Sequence, residues 1–164
     1  MDKVRVVNAS PLIALAKVGR LDLLTSRGQQ LIIPEPVAHE VLAGPEGDPA
    51  RLALESGFGT PFHPVGLDAD VLAWSLGAGE SSVLALARSL DAMAILDDRN
   101  ARVAARALQV RFTGTLGIII QGAREGHLGS AAELIRELRA AGLRLQDRAV
   151  AEALSRALGE TWEP

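Results

Sequence analysis

Asn8, Glu40, Glu80, Asp97 and Asp98 are oxygen-bearing side chains placed where a strand ends or a helix delivers them toward a sheet. Collected around one ion, Glu40, Glu80, Asp97 and Asp98 would supply the hard ligands that Mg²⁺ or Mn²⁺ takes while retaining waters for a substrate. Such an ion activates water and neutralises a phosphodiester in the transition state, so the chemistry in view is metal-dependent hydrolysis. Asn8 departs from the pattern, because a site of this kind prefers a carboxylate there.

Each position also has a plainer reading. On the helix after Pro36, Val37 and Val41 mark an apolar stripe, and Glu40 lies beside that stripe, directed toward the sheet or onto a solvated flank. Glu80 heads the series Glu80, Val83, Leu84, Ala87, which continues a buried face, yet a first-turn glutamate is favoured by the helix dipole whatever its function. Gly77-Ala78-Gly79 before it follows no strand, so it reads as punctuation rather than a phosphate loop. Asp97 and Asp98 follow the apolar run Ala92 to Leu96, and a carboxylate at the end of a buried strand is costly unless paired, capped or metal-bound. Capping accounts for Asp98; nothing local accounts for Asp97.

Arg99, Arg102 and Arg106 share a helical face near the acidic pair, which suits phosphate contact or a solvated charged surface. Asp68, Asp70, Asp91 and Glu35 read as caps, turns or exposed faces. His39, His63 and His127 show no metal-ligand spacing.

Alternating elements position these residues. Val4 to Val7 reads as a buried strand that stops at Asn8-Ala9-Ser10-Pro11, with Ser10 as cap and Pro11 in the first turn of a helix to about Val18. A short helix Leu21 to Leu24, a strand Gln30 to Ile33 and a helix Val37 to Leu42 follow. Ala50 to Ser56 is expected as helix, Phe62 to Val65 as an edge strand at best, and Asp68 to Leu76 as a capped helix broken by Gly77-Ala78-Gly79. Glu80 to Leu90 is the next helix, Ala92 to Leu96 a strand, Ala101 to Leu108 a helix and Val110 to Phe112 a last strand. Helices at Thr115 to Arg124, Ala131 to Ala140 and Arg148 to Leu158 complete the chain, ahead of a mobile tail containing Trp162. The alternation predicts an α/β fold with a central, mostly parallel sheet covered on both faces, where ligands bind beyond the C-terminal strand ends. Asn8 and Asp97 occupy two such ends.

With 164 residues, 48% of them apolar and 23% charged, and no repeat or linker, residues 1–164 read as one globular domain. No apolar run spans a bilayer, and the N-terminal run Met1 to Arg5 lacks the features of a secretory signal, so a soluble cytoplasmic protein is expected. Without cysteine there is no disulfide, zinc-thiolate site or cysteine nucleophile, leaving oxygen or histidine to hold any metal. The net charge of −3 argues against a broadly basic nucleic-acid coat, and the scarcity of aromatics against a dedicated base-stacking surface.

Val6-Val7-Asn8-Ala9-Ser10-Pro11-Leu12-Ile13, Gly79-Glu80, Leu96-Asp97-Asp98-Arg99 and Gly114-Thr115-Leu116-Gly117 together resemble the PIN-domain family, in its short prokaryotic branch. The resemblance runs from Val4 to about Leu143. It implies a three-layer α/β/α sandwich, Mg²⁺- or Mn²⁺-dependent endoribonuclease chemistry on RNA, and often the toxin role of a pair with a small antitoxin protein. By position, Glu40 matches the acid after the second strand, Glu80 the acid opening a central helix, and Asp97 with Asp98 the acidic cluster after the next strand. Ser10 matches a supporting hydroxyl near the substrate, with Arg99 and Arg102 as further substrate contacts. Asn8 stands where aspartate is usual, which removes one formal ligand charge.

Two other readings compete. One is a PIN-like module that binds RNA or protein without cutting. The other, a phosphoacceptor receiver domain, takes the Asp97-Asp98 pair as its cue, but it needs paired acids after the first strand and a lysine on a later one, and Lys3 and Lys17 both precede the pair here. The final helix carries Val150, Ala153, Leu154, Ala157 and Leu158 on one stripe, for core packing or for contact with a homodimer partner or antitoxin.

Overall fold

A computed structural model describes residues 3–66 and 68–164. Met1 and Asp2, which begin the N-terminal run read above, and Leu67 lie outside the described residues. Four parallel strands, β1 (Val4–Val7), β2 (Gln30–Ile32), β3 (Met93–Ile95) and β4 (Phe112–Thr113), stand in the order β2-β1-β3-β4. Val6 and Val7 are both fully buried although successive strand residues point to opposite faces, so β1 is covered on both sides.

Helices α1 (Ala9–Lys17), α2 (Glu35–Leu42), α3 (Pro49–Glu55) and α4 (Ala69–Leu72) precede the long α5 (Ala78–Leu90). After β3 come α6 (Arg99–Ala107), α7 (Thr115–Arg124), α8 (Ala131–Ala140) and α9 (Asp147–Leu158). Helix α5 lies against β1 and β3 with α4 and α6 beside it, whereas α7 packs with α1, α8 and α9. The buried Arg5 of β1 reaches α7, where its guanidinium donates to Gln121 Oε1 at 2.7 Å. The result is an α/β sandwich around a parallel sheet, as the alternation of elements requires. Among the described residues no helix is long and apolar enough to cross a membrane.

Several boundaries depart from expectation, each for a local reason. Helix α1 starts at Ala9 with Asn8, not Ser10, as its N-cap residue. Gly77-Ala78-Gly79 opens a helix rather than breaking one: Gly77 is the N-cap and Gly79 lies within the first turn of α5. The helix after Asp68 ends at Leu72, held at its start by Asp68 accepting from Asp70 and Val71 N–H. The expected edge strand at 62–65 reduces to a bridge between Pro34 and His63, because two prolines and three glycines in 57–66 leave few residues suited to a ladder. Strand β4 begins at Phe112 instead of Val110, since Gln109 has a left-handed φ of 57° that turns the chain before the strand starts.

The tail is docked. Trp162 donates its indole N–H to Asp147 Oδ1 at 2.9 Å, and Arg136 and Arg139 stack on its ring at 5.3 and 5.1 Å. Its indole bond and the Arg139 guanidinium together hold the Asp147 carboxyl below its usual range.

Candidate active site

Asn8 follows the last residue of β1, and its extended backbone (φ −84°, ψ 166°) sets it at the N-cap of α1. Asparagine is among the best N-cap residues because its side-chain oxygen accepts from the first free helical N–H groups. Here the side chain makes no cap hydrogen bond, and Oδ1 is buried without a partner among the described residues. Leaving such an oxygen unsatisfied costs about 1–3 kcal/mol, so its direction is a structural feature that needs a cause.

That direction is set by Gly79. A β-carbon at Gly79 would lie 3.1 Å from Asn8 Oδ1, 3.1 Å from Glu40 Oε2 and 3.7 Å from Val37 Cγ2. The bare glycine therefore leaves room for an amide oxygen and a carboxylate oxygen to converge from β1 and α2 onto the first turn of α5. Glu40 reaches this point because Val37 and Val41 bury one stripe of α2, which turns the neighbouring Glu40 along the sheet's C-terminal edge while the residue as a whole stays exposed. Glu40 is exposed, as its solvated-flank reading expects, and one of its carboxylate oxygens also meets the Asn8 amide oxygen over Gly79.

The other acids have local partners. Asp97, just past β3, accepts from Thr115 N–H at 2.8 Å through Oδ1 and from Thr115 Oγ1–H at 2.6 Å through Oδ2. Thr115 is fully buried and opens α7, so Asp97 ties the end of β3 to the helix that follows β4. This is the partner that local sequence does not reveal, as it lies one strand away. A β-carbon at Gly114 would stand 2.6 Å from Asp97 Oδ1, so this close approach requires glycine. Asp98 caps α6 through Ala101 N–H at 2.8 Å. Glu80 is half-buried and turned back along its own first turn, with Oε2 2.6 Å from where a β-carbon of Gly77 would be.

Among the described residues no three His, Asp or Glu side chains form a group that could hold a metal ion. The preassembled cluster of Glu40, Glu80, Asp97 and Asp98 expected from sequence is therefore not formed. What converges is the pair Asn8 and Glu40; Glu80 follows Gly79 in the first turn of α5, and Asp97 follows the neighbouring strand β3. A hard cation suits that pair, since one member is an orphaned buried oxygen and the space in front of both would be filled by any β-carbon at residue 79.

Ser10 is exposed and lines, with Glu40 and Lys17, a cleft of about 290 Å³ between α1 and the end of α8. Arg102 donates from Nε to Leu96 O at 3.1 Å and lies over Phe112 at 5.4 Å, as does Arg106. Arg99 is exposed and takes no part in that stack. Gly79, Gly114 and Thr115 enter the sequence reading only within its motifs and element boundaries; their place at adjoining strand and helix ends shows what each does, Gly79 and Gly114 leaving space and Thr115 holding Asp97.

A family model described as PIN domain matches residues 4–159, and the chain belongs to this family. The family carries a nuclease fold, generally binds divalent metals and is associated with RNA. No curated protein matches the chain.

Proposed function

We propose that this protein is a metal-dependent endoribonuclease, with Asn8 and Glu40 as the central ligands of a Mg²⁺ or Mn²⁺ ion and Glu80 and Asp97 as flanking ones. The observation that carries this reading is Asn8 Oδ1, buried and unpaired, converging with Glu40 Oε2 over Gly79. The chemistry supplied there by a divalent cation is activation of water and neutralisation of a phosphodiester. The chain's own residues perform the remaining tasks. Glu40 provides the negative charge that Asn8 lacks. Asp97 keeps its orientation through Thr115, and Asp98 holds the start of α6 so that Arg102 stays beside the strand ends. Ser10, open to the cleft beside Glu40, offers a hydroxyl to the substrate. The cellular role in this reading is that of a toxin restrained by a small antitoxin.

The test is cleavage of defined RNAs with Mg²⁺ or Mn²⁺, paired with Asn8→Asp. Restoring a carboxylate should tighten Mn²⁺ binding by about tenfold, because a formal charge replaces a dipole at short range. A calorimetric titration identical to wild type would place residue 8 outside the coordination sphere.

Gly79→Ala provides an independent check. Its methyl group would crowd both site oxygens at 3.1 Å, while alanine is favoured over glycine in a helix by up to about 1 kcal/mol. Mn²⁺ affinity should fall several-fold with a melting temperature that does not drop. Equal losses of affinity and stability would show that residue 79 merely packs.

A second reading, a PIN-fold module that binds RNA or protein without cutting it, is favoured by one observation: both Asp97 oxygens and the Asp98 cap already have protein partners. RNA binding without cleavage over varied substrates in either metal would select it.

A further inference from the structure

Helices α6 and α9 flank a groove of about 730 Å³ that begins at Asp97 and is floored by β4 and α7. Arg102, Arg106, Arg144 and Arg156 line it, and Asp97 is the one acid among the described residues of its wall. Outside the groove, among the described residues, seven arginines are matched with carboxylates, including Arg20 with Asp22, Arg51 with Glu55, Arg88 with Asp68 and Asp70, Arg139 with Asp147 and Arg148 with Glu152, whereas the unmatched Arg99, Arg124 and Arg136 do not line this groove. The four groove arginines have no ion pair with a carboxylate among the described residues. A chain of net charge −3 thus gathers four guanidiniums against a single carboxylate, Asp97, on one concave surface.

We propose that this groove holds the sugar-phosphate backbone of single-stranded RNA and leads it to Asp97, a path that rests on the ribonuclease reading. Unpaired guanidiniums along a groove supply the sequence-independent phosphate contacts that dominate nucleic-acid affinity. Their planar forks match phosphate oxygens, and Arg102 and Arg106 are already oriented by the Phe112 ring. Between these cations and Arg144 and Arg156, the wall is formed by small or apolar residues including Leu116, Ala149, Ala153 and Ala157, which exclude no base by size or charge. Of the α9 stripe read from sequence as packing or a partner surface, Val150 and Leu154 are buried in the core, while Ala153 and Ala157 form one wall of this channel.

The experiment measures anisotropy of a labelled single-stranded RNA of roughly twelve nucleotides in EDTA, so that no metal-dependent cleavage intervenes. Arg144→Ala/Arg156→Ala, both at exposed positions, should bind at least about tenfold more weakly at low salt, with a slope of log K against log salt reduced by about 1.4. Arg51→Ala/Arg88→Ala removes the same charge from paired positions and should bind like wild type. Unchanged binding by the groove variant, an equal loss in the control, or displacement of RNA as readily by polyglutamate as by RNA of equal charge would overturn the assignment. Cleavage assayed alongside with Mn²⁺ separates the two readings. A groove variant with intact affinity in a protein that cleaves removes the channel alone, and salt-dependent groove binding in a protein that never cleaves removes the nuclease alone.

Discussion

Glu40→Gln should lower metal-dependent RNA cleavage by about a hundredfold to a thousandfold, the scale of losing one preorganised electrostatic contact. The substitution keeps size and shape and removes only the charge. In a site with a carboxylate at position 8, the remaining acid would soften that loss. Here Asn8 is neutral, so Glu40 carries the formal charge of the converging pair alone. Glu40 is exposed and lies outside the core, so the variant should melt with the wild-type protein. Calorimetry with Mn²⁺ and a single-turnover assay would separate lost binding from lost chemistry. Cleavage at the wild-type rate would remove Glu40 from the mechanism and leave the binding-module reading in its place.

Arg5→Met should cost about 3–5 kcal/mol of folding stability, because buried acceptors left without their donor cost about 1–3 kcal/mol each. Arg5 is 1% exposed in the strand at the centre of the sheet. It donates to Leu23 O at 3.2 Å, to Leu24 O at 2.8 Å and to Gln121 Oε1 at 2.7 Å. These bonds tie β1 to the 3-10 turn Leu21–Thr25 and to α7. Methionine fills much of the space but leaves Leu24 O and Gln121 Oε1 without this donor and Leu23 O with the long 3.4 Å bond from Ser26 Oγ–H. Since domains are stable by only about 5–15 kcal/mol, the urea midpoint should shift far to lower concentration. A shift no larger than that of Arg88→Met on the exposed end of α5 would mean that water replaces the guanidinium at little cost.

The sequence carried most of the fold because its elements are marked locally. The apolar runs 4–7 and 93–95 become the two central strands. Helices Thr115–Arg124 and Ala131–Ala140 stand where their patterns placed them. Departures fall where nonlocal contacts compete with propensity. Asn8 and Ser10 are both adequate caps, and the strand pairing that carries Asn8 N–H to Ile95 O at 3.0 Å fixes where α1 begins. Gly77 and Gly79 read as breakers until Val37, Asn8 and Glu40 are seen packed against the turn that Gly79 keeps open. Trp162 in a polar tail gave no hint of Arg136 and Arg139, which lie more than twenty residues earlier on α8.

For the candidate site, strand-end position pointed to Asn8 and Asp97, because a buried strand that stops at a polar side chain leaves it at the edge where ligands bind, and helix faces pointed to Glu40 and Glu80. How those side chains are used was decided by tertiary structure. Asp97 meets Thr115, eighteen positions later, only because β3 and β4 are neighbours in the sheet. Asn8 and Glu40 meet because residue 79, on a third element, has no side chain. A sequence fixes which groups arrive at the sheet's edge through periodicity and breakers; the distances between groups from different elements follow from packing, and packing alone selected which oxygens converge.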